Sequence, residues 1–309
     1  MFTARMWPEG RHGVIRRSDL IDTGMSDAEI KRRLRDCTLA QIEAGAYVLG
    51  DRLPKYDVQD AKYRLRALAA ADTQSLPLSY DSAAAVHGLE LLFPDHAVVH
   101  VSKPTSSGGR TMASRHIHTG LPDDSVVEVD GVLVSDLVCT AVDVAAGKPF
   151  PKALAALDSA LRLGASREAL QNEIDKRRRA GVAVVRIALR HADPLSANPG
   201  ESWSRAQMIE AKLPSPVLQR RFDFVDGTIA YTDYCWGDSL AAEFDGLRKY
   251  WRDLKPGQNV EDAVVAEKIR EDRLRDHVGD VARWIYDDLR SGAMIPMLRR
   301  RMCRAGIET

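Results

Sequence analysis

Asp233, Glu243 and Asp245 stand in the stretch YTDYCWGDSLAAEFDGLRKY, which runs from Tyr231 to Tyr250. The stretch reads as two short apolar strands with carboxylates at their ends and Lys249 just beyond. Metal-dependent phosphodiester cleavage asks for such a collection. Two or three carboxylates converge on one or two divalent ions, which lower the pKa of a water and stabilise charge developing on the phosphate. A hard ion such as Mg2+ (or Mn2+) is held by a few carboxylates together with waters and substrate phosphate. A lysine nearby orients the attacking water and offsets negative charge.

The spacing supports convergence. Asp233 and Glu243 fall on adjacent strands of a predicted antiparallel pair, so a hairpin brings both to one rim. Glu243 and Asp245 are two apart and face the same side of a strand, whereas Phe244 between them points into the opposite core. Glu201 opens the preceding helix, Gln219 lies on the first strand, and Lys249 follows Gly246. The candidate catalytic set is Glu201, Gln219, Asp233, Glu243, Asp245 and Lys249. The same acids also fit a salt-bridged sheet rim facing Arg220, Arg221, Arg248 or Arg270, and both readings stay open.

Other chemistries find less support. GxSxG, HExxH, GxGxxG and a phosphate-loop lysine motif are all missing from the sequence. Cys235 is expected to face away from Asp233 as a small buried residue. His116 and His118 project from one face of a strand, but no Cys, Asp or Glu stands at ligand spacing, so the pair reads as a strand surface.

The acids need a frame. DPLSANPG, 193–200, is a linker with two prolines and a glycine, and after it the pattern runs α-β-β-β-α-β. Asp226–Gly227 is a hairpin signal between the first two strands. At the other end, RRSDLIDTG predicts a helix ending at Gly24. Ser26 followed by Glu29 is a capping box for a second helix, with Ile30, Leu34 and Cys37 on one face. Two strand-like pieces around Gly45 follow. Helix, turn, basic helix and hairpin is the pattern of a winged helix-turn-helix, in which the second helix enters the major groove of DNA. Arg16, Arg17, Lys31, Arg32, Arg33 and Arg35 are the candidate DNA-binding residues. A helical cap with a salt-bridged surface is the alternative. Between these ends, alternating helical and period-two segments predict a mixed α/β middle domain. The expected division is 1–55, 56–195 and 196–309, an α+β multidomain chain.

Composition narrows the class. The 309 residues are 45% hydrophobic and 28% charged, as in a globular protein. Lys+Arg 44 against Asp+Glu 44 gives a formal net charge of zero, which speaks against a histone-like coating of nucleic acid. Local basic runs remain at 31–35, 176–179 and 298–304. No apolar run approaches the ~18–20 residues of a membrane span, and MFTARMWPEGRHG lacks the apolar core of a secretory signal. Cys37, Cys139, Cys235 and Cys303 form no CxxC pair. The expected location is a reducing cytoplasm with no membrane partner.

The motifs ESWSR, LPSPVLQ, YTDYCW, LAAEFDGLRKY and EKIREDRLRDHVGDVARW, spread over about 200 to 290, resemble an actinobacterial PD-(D/E)XK restriction-endonuclease-like family related to very-short-patch-repair endonucleases. RRSDLIDTGMSDAEIKRRLRDCTLAQIEAGAYVLG resembles the winged helix of AbiEi-type antitoxins, and the middle segment resembles the domain that joins the two. The resemblance implies a restriction-endonuclease-like C-terminal domain, a DNA substrate, Mg2+ or Mn2+, and metal ligation by Asp233 and Glu243 with Glu201 assisting. One position departs from the pattern: Asp245 stands where such nucleases keep a lysine, with Lys249 further along. Two function classes follow. One is a DNA-directed endonuclease. The other is an antitoxin-like transcriptional regulator with an inactive nuclease-fold domain and a toxin or other protein as partner.

Overall fold

The computed structural model describes residues 7–73, 75–105, 108–176, 181–246, 269–270 and 272–309. The chain is mixed α+β and forms two compact units: Met1–Leu89 with Pro94–Val144, and Glu90–Phe93 with Ala145–Thr309. No helix among the described residues is long and apolar enough to cross a membrane.

The first unit begins with β1 (Ile15–Arg16), α1 (Arg17–Asp22), α2 (Asp27–Arg35), β2 (Leu39–Glu43) and β3 (Ala46–Leu49). The strands form an antiparallel sheet in the order β1-β3-β2. Ser26 caps α2 by accepting a hydrogen bond from the Glu29 backbone N–H at 3.2 Å. Ile15, Leu20, Met25, Ile30, Leu39 and Tyr47 form the core beneath the two helices, with Leu34 packed against it. Cys37 does not join that face. The helix ends at Arg35, Cys37 turns to φ 60°, and its thiol is exposed.

α3 (Val58–Ala71), α4 (Tyr80–His87) and α5 (Leu137–Ala145) accompany a second sheet. β4 (Val99–Lys103) runs parallel to β6 (Arg115–Thr119), and β5 (Arg110–Thr111) lies antiparallel on the far side of β6. β7 (Val126–Val129) and β8 (Val132–Ser135) form a hairpin, which Leu78 links to β4 by bridging Val101 and Val134. Val99, Val101, Val132 and Val134 face one core with Leu68 and Val86, and Ile117 packs against it. Residues 100, 116 and 118 therefore present the other face.

The second unit gathers α6 (Phe150–Arg162), α7 (Arg167–Lys176), α8 (Val182–His191) and α9 (Pro199–Glu210) with a four-stranded sheet. α6 packs against both α8 and α9. The compact units therefore do not divide at the proline-containing linker. The tie is ionic as well as apolar. Arg205 of α9 reaches both carboxylate oxygens of Asp158 of α6 at 2.6 Å, and Asp158 is fully buried. The sheet order is β12-β11-β10-β9, with β9 (Val217–Asp223), β10 (Ile229–Trp236) and β11 (Leu240–Phe244) antiparallel and β12 (Val281–Trp284) parallel to β11. α10 (Tyr286–Ser291) and α11 (Met294–Arg304) follow. Tyr234, Trp236, Leu240, Ala242, Phe244, Trp284 and Leu298 fill one side. Phe222, Phe224, Ala230, Cys235, Ala241 and Leu274 fill a second cluster. The helix expected before β12 falls largely outside the described residues, which resume as helix at 269–270 and 272–275.

Candidate functional site

Glu201 is placed by the start of α9. Asn198 is the N-cap: its Oδ1 accepts from the backbone N–H groups of Gly200 at 2.9 Å and Glu201 at 3.0 Å. Its amide in turn donates to Glu201 Oε1 at 2.7 Å, while the Ala197 N–H donates to Glu201 Oε2 at 2.7 Å. The carboxylate thus sits in the favourable field of a helix N-terminus. It has a structural task whether or not it also serves chemistry.

Asp233 lies on β10 between two neighbours. Its Oδ2 accepts from the Phe244 N–H of β11 at 2.8 Å. On the other side Gln219 of β9 donates its amide to Asp233 Oδ1 at 3.4 Å and to Glu201 Oε2 at 3.2 Å. Gln219 therefore bridges the two acids. It does so from φ 48°, a left-handed backbone in mid-strand that an L side chain rarely adopts, and regular pairing of β9 with β10 skips this position. Local strain of this kind gathers where a side chain must be held in one direction.

Glu243 on β11 is arranged differently. Both of its oxygens accept from Arg270 at 2.8 Å, and Arg283 of β12 stands 3.1 Å from Oε2. Glu201, Asp233 and Glu243 are only 3%, 8% and 4% exposed. Asp245 is partly exposed just past the strand, where its N–H donates to Trp284 O at 2.8 Å. Lys249 and Arg248 lie outside the described residues. The structure thus brings together Glu201, Gln219 and Asp233, and it engages Glu243 with two arginines. Among the described residues no three carboxylates have ligand atoms mutually within 4.8 Å.

The donor chemistry of Glu201 and Asp233, two buried carboxylates with an amide between them, fits a hard oxygen-seeking cation that takes only one or two protein carboxylates. Glu243 does not fit as a ligand in this arrangement, because its charge is already matched by two guanidinium cations, Arg270 and Arg283, whereas the partners of Glu201 and Asp233 among the described residues are neutral amides.

Neighbouring groups are inert. Tyr234 OH donates to the Glu201 carbonyl at 2.7 Å. Burial, with the charges of Glu201 and Asp233 adding to it, pushes the phenol well above its usual range, so it remains a donor. Burial also pushes the Cys235 thiol up, although Arg220 opposes it. Cys235 packs with Phe222, Phe224 and Ala241. Period two puts it on the face of Asp233 rather than on the opposite one, and its burial with a raised pKa favours a packing role over that of a nucleophile.

No protein-family model matches the chain. Over 182 residues it is 31% identical to Uncharacterized protein MT2308 of Mycobacterium tuberculosis (strain CDC 1551 / Oshkosh) and to Uncharacterized protein Rv2248 of M. tuberculosis (strain ATCC 25618 / H37Rv). The match covers 57% of this chain and spans about 64% of the length of each relative. Among solved structures, the chain is similar to the RV2827C protein of M. tuberculosis at 18% identity and a TM-score of 0.35, over 67% of this chain and 79% of that one.

The basic residues of the first unit separate into two groups. Arg16 is committed internally, to Glu43 at 3.2 Å and to the Ala69 carbonyl at 2.5 Å. Arg17 clasps Asp27 with two hydrogen bonds at 2.9 and 2.5 Å, fastening α1 to α2. Arg33 is half-buried beside Asp36. Lys31, Arg32 and Arg35 are exposed on α2, with Arg32 3.6 Å from Glu29. The C-terminal basic run is likewise drawn into the fold: Arg301 pairs with Asp280 at 2.6 Å and Arg299 donates to the Ala211 carbonyl at 3.0 Å.

Sequence reasoning missed Asn198 as a partner of Glu201, Arg283 as a partner of Glu243, and His100 as a neighbour of His116 and His118. Asn198 carried a signal, since it precedes Pro199 and a helical pattern. Arg283 and His100 carried none, because each meets its partner only through strand pairing across a long stretch of chain.

Proposed function

We propose that this protein binds duplex DNA through α2 and that its C-terminal sheet is a phosphodiester-hydrolysing site of restriction-endonuclease type, using Mg2+ or Mn2+. The observation that carries the reading is the buried Glu201–Gln219–Asp233 cluster, a strained glutamine holding two carboxylates at the edge of a sheet. Glu201 and Asp233 would hold the cation, which when bound supplies an activated water and neutralises phosphate charge. Gln219 keeps the two carboxylates together. Arg270 and Arg283 present guanidinium forks whose geometry suits phosphate as well as carboxylate, so phosphate oxygens compete with Glu243 for them. The exposed Lys31, Arg32 and Arg35 of α2 supply the cations for backbone phosphates.

A second reading rests on a specific observation. Glu243 is sequestered by two arginines, and Asp245 occupies the place of the expected lysine. An antitoxin-like regulator that keeps the fold as a scaffold for a toxin or other protein partner fits that arrangement.

Plasmid and branched DNA, incubated with Mg2+ or Mn2+, separate the two. Metal-dependent cutting that is lost in Asp233→Ala and Glu201→Ala supports the hydrolase. Intact duplex binding with no cutting of any substrate overturns it and leaves the regulator.

A further inference from the structure

Three imidazoles meet in the first unit, on strands that carry none of the acids above. His116 and His118 lie two apart on β6 and share a face. β4 pairs with β6 in parallel with His100 as the Cα partner of His116, so His100 joins them from the next strand. Their ring nitrogens all lie within 4.8 Å of one another. His100 Nδ1 and His118 Nε2 are 2.9 Å apart, and the His116 and His118 rings stack at 3.9 Å.

The surroundings hold these rings in place. The Ser79 N–H donates to the His100 carbonyl at 3.0 Å, and the His100 N–H donates to Ser82 Oγ at 2.8 Å. Tyr80, between those two serines, takes φ 47° and lays its ring on His118 at 3.8 Å. His100 is buried, whereas His116 and His118 are partly open to solvent. The opposite face of both strands is the apolar core, so none of the three is needed to fill it.

We infer that His100, His116 and His118 form a binding site for a divalent transition metal of the Zn2+ class. Nitrogen donors select such a borderline ion over Mg2+ or Ca2+. Two imidazole nitrogens on a tetrahedral Zn2+, at bond lengths of about 2.0–2.1 Å, stand about 3.3 Å apart. The His100–His118 pair at 2.9 Å needs to open by only about 0.4 Å, as the proton it shares gives way to the ion. Three protein ligands leave the fourth position to water on the open side of His116 and His118. The site takes a different class of ion from the carboxylate cluster and uses none of its residues.

The test titrates the full chain with Zn2+ against a chromophoric chelator at about pH 7.5, where free imidazoles are neutral, and with Co2+ read by visible absorption. The expected result is one ion per chain, a tetrahedral Co2+ spectrum, and a metal-dependent rise in Tm. His116→Ala and His118→Ala, both away from the core and checked by circular dichroism, should each lose at least about 10–100-fold in affinity, the loss that even an outer-shell change produces. Asp233→Ala should bind Zn2+ as the unaltered chain does, which keeps this result separate from any nuclease assay. Failure to take up one equivalent, or uptake unchanged in the His116→Ala/His118→Ala double variant, overturns the assignment.

Discussion

Gly200→Ala is the smallest change that would press on the carboxylate cluster. Gly200 lies one residue before Glu201 in the first turn of α9. A Cβ there would stand 2.2 Å from Phe244 Cε1 and 2.4 Å from Cζ. Ordinary carbon–carbon contact begins near about 3.5 Å, so the methyl is roughly 1.3 Å too close. Phe244 has little room to retreat. It is buried among Tyr234, Ala242 and Trp284 and meets Tyr286 edge-on at 4.9 Å. Either the ring leaves its rotamer or the start of α9 lifts away from β11. Overpacking of this kind costs about 1–3 kcal/mol. Alanine recovers at most about 1 kcal/mol over glycine in a helix interior, and less in the first turn. The expected net loss is about 1–2 kcal/mol. Urea unfolding followed by tryptophan fluorescence reads it directly, because Trp236 and Trp284 lie in the same core. With a slope of about 1–3 kcal/mol per molar urea, the midpoint should fall by roughly 0.3–2 M. A midpoint unchanged or raised would refute the close packing of α9 on Phe244. It would also remove the reason for holding Glu201 so near β11.

Other expectations concern single side chains and one helix face. Arg205→Met leaves Asp158 buried without its partner and should cost about 3–5 kcal/mol by denaturant titration near neutral pH. Burial already pushes the Asp158 carboxyl up, with Arg205 pulling it down, so the variant's carboxyl rises further. A folded pKa above the unfolded ~3.9 means the penalty is smallest near about pH 4 and grows as pH rises through the folded value; a pH-independent loss would contradict this. Asn198→Ala removes the cap of α9 and should lower stability by about 0.5–2 kcal/mol, seen in the same unfolding curves. With α2 on the DNA, replacing Lys31, Arg32 and Arg35 with alanine should weaken duplex binding across sequences and reduce the salt slope by about 1 for each phosphate no longer neutralised. Fluorescence anisotropy at several salt concentrations measures both, and an unchanged slope would remove α2 as the DNA-facing surface.

Much of the local structure was legible in the residues. Ser26 and Glu29 mark the start of α2, Asp226–Gly227 marks the β9–β10 hairpin, and period-two alternation separates Phe244 from Glu243. Caps, turns and strand faces depend on neighbours within a few positions, which is why the adjacency of Asp233 and Glu243 could be read from spacing. Most of the partners could not. Arg270 was one of four arginines the acids could face, whereas Arg283 comes to Glu243 from 40 positions away through parallel pairing of β11 with β12. His100 comes to His116 and His118 through parallel pairing of β4 with β6, which no short turn enforces. α6 packs on α9 with Arg205 paired to Asp158 between them, and the compact units divide near 145 rather than at the linker before Pro199. The order of residues was enough to say which faces of helices and strands are apolar and where those elements start and stop. Which distant charges and imidazoles meet was chosen by packing in three dimensions. Those pairings form where separate apolar faces find one core, and the polar groups carried along must satisfy one another there.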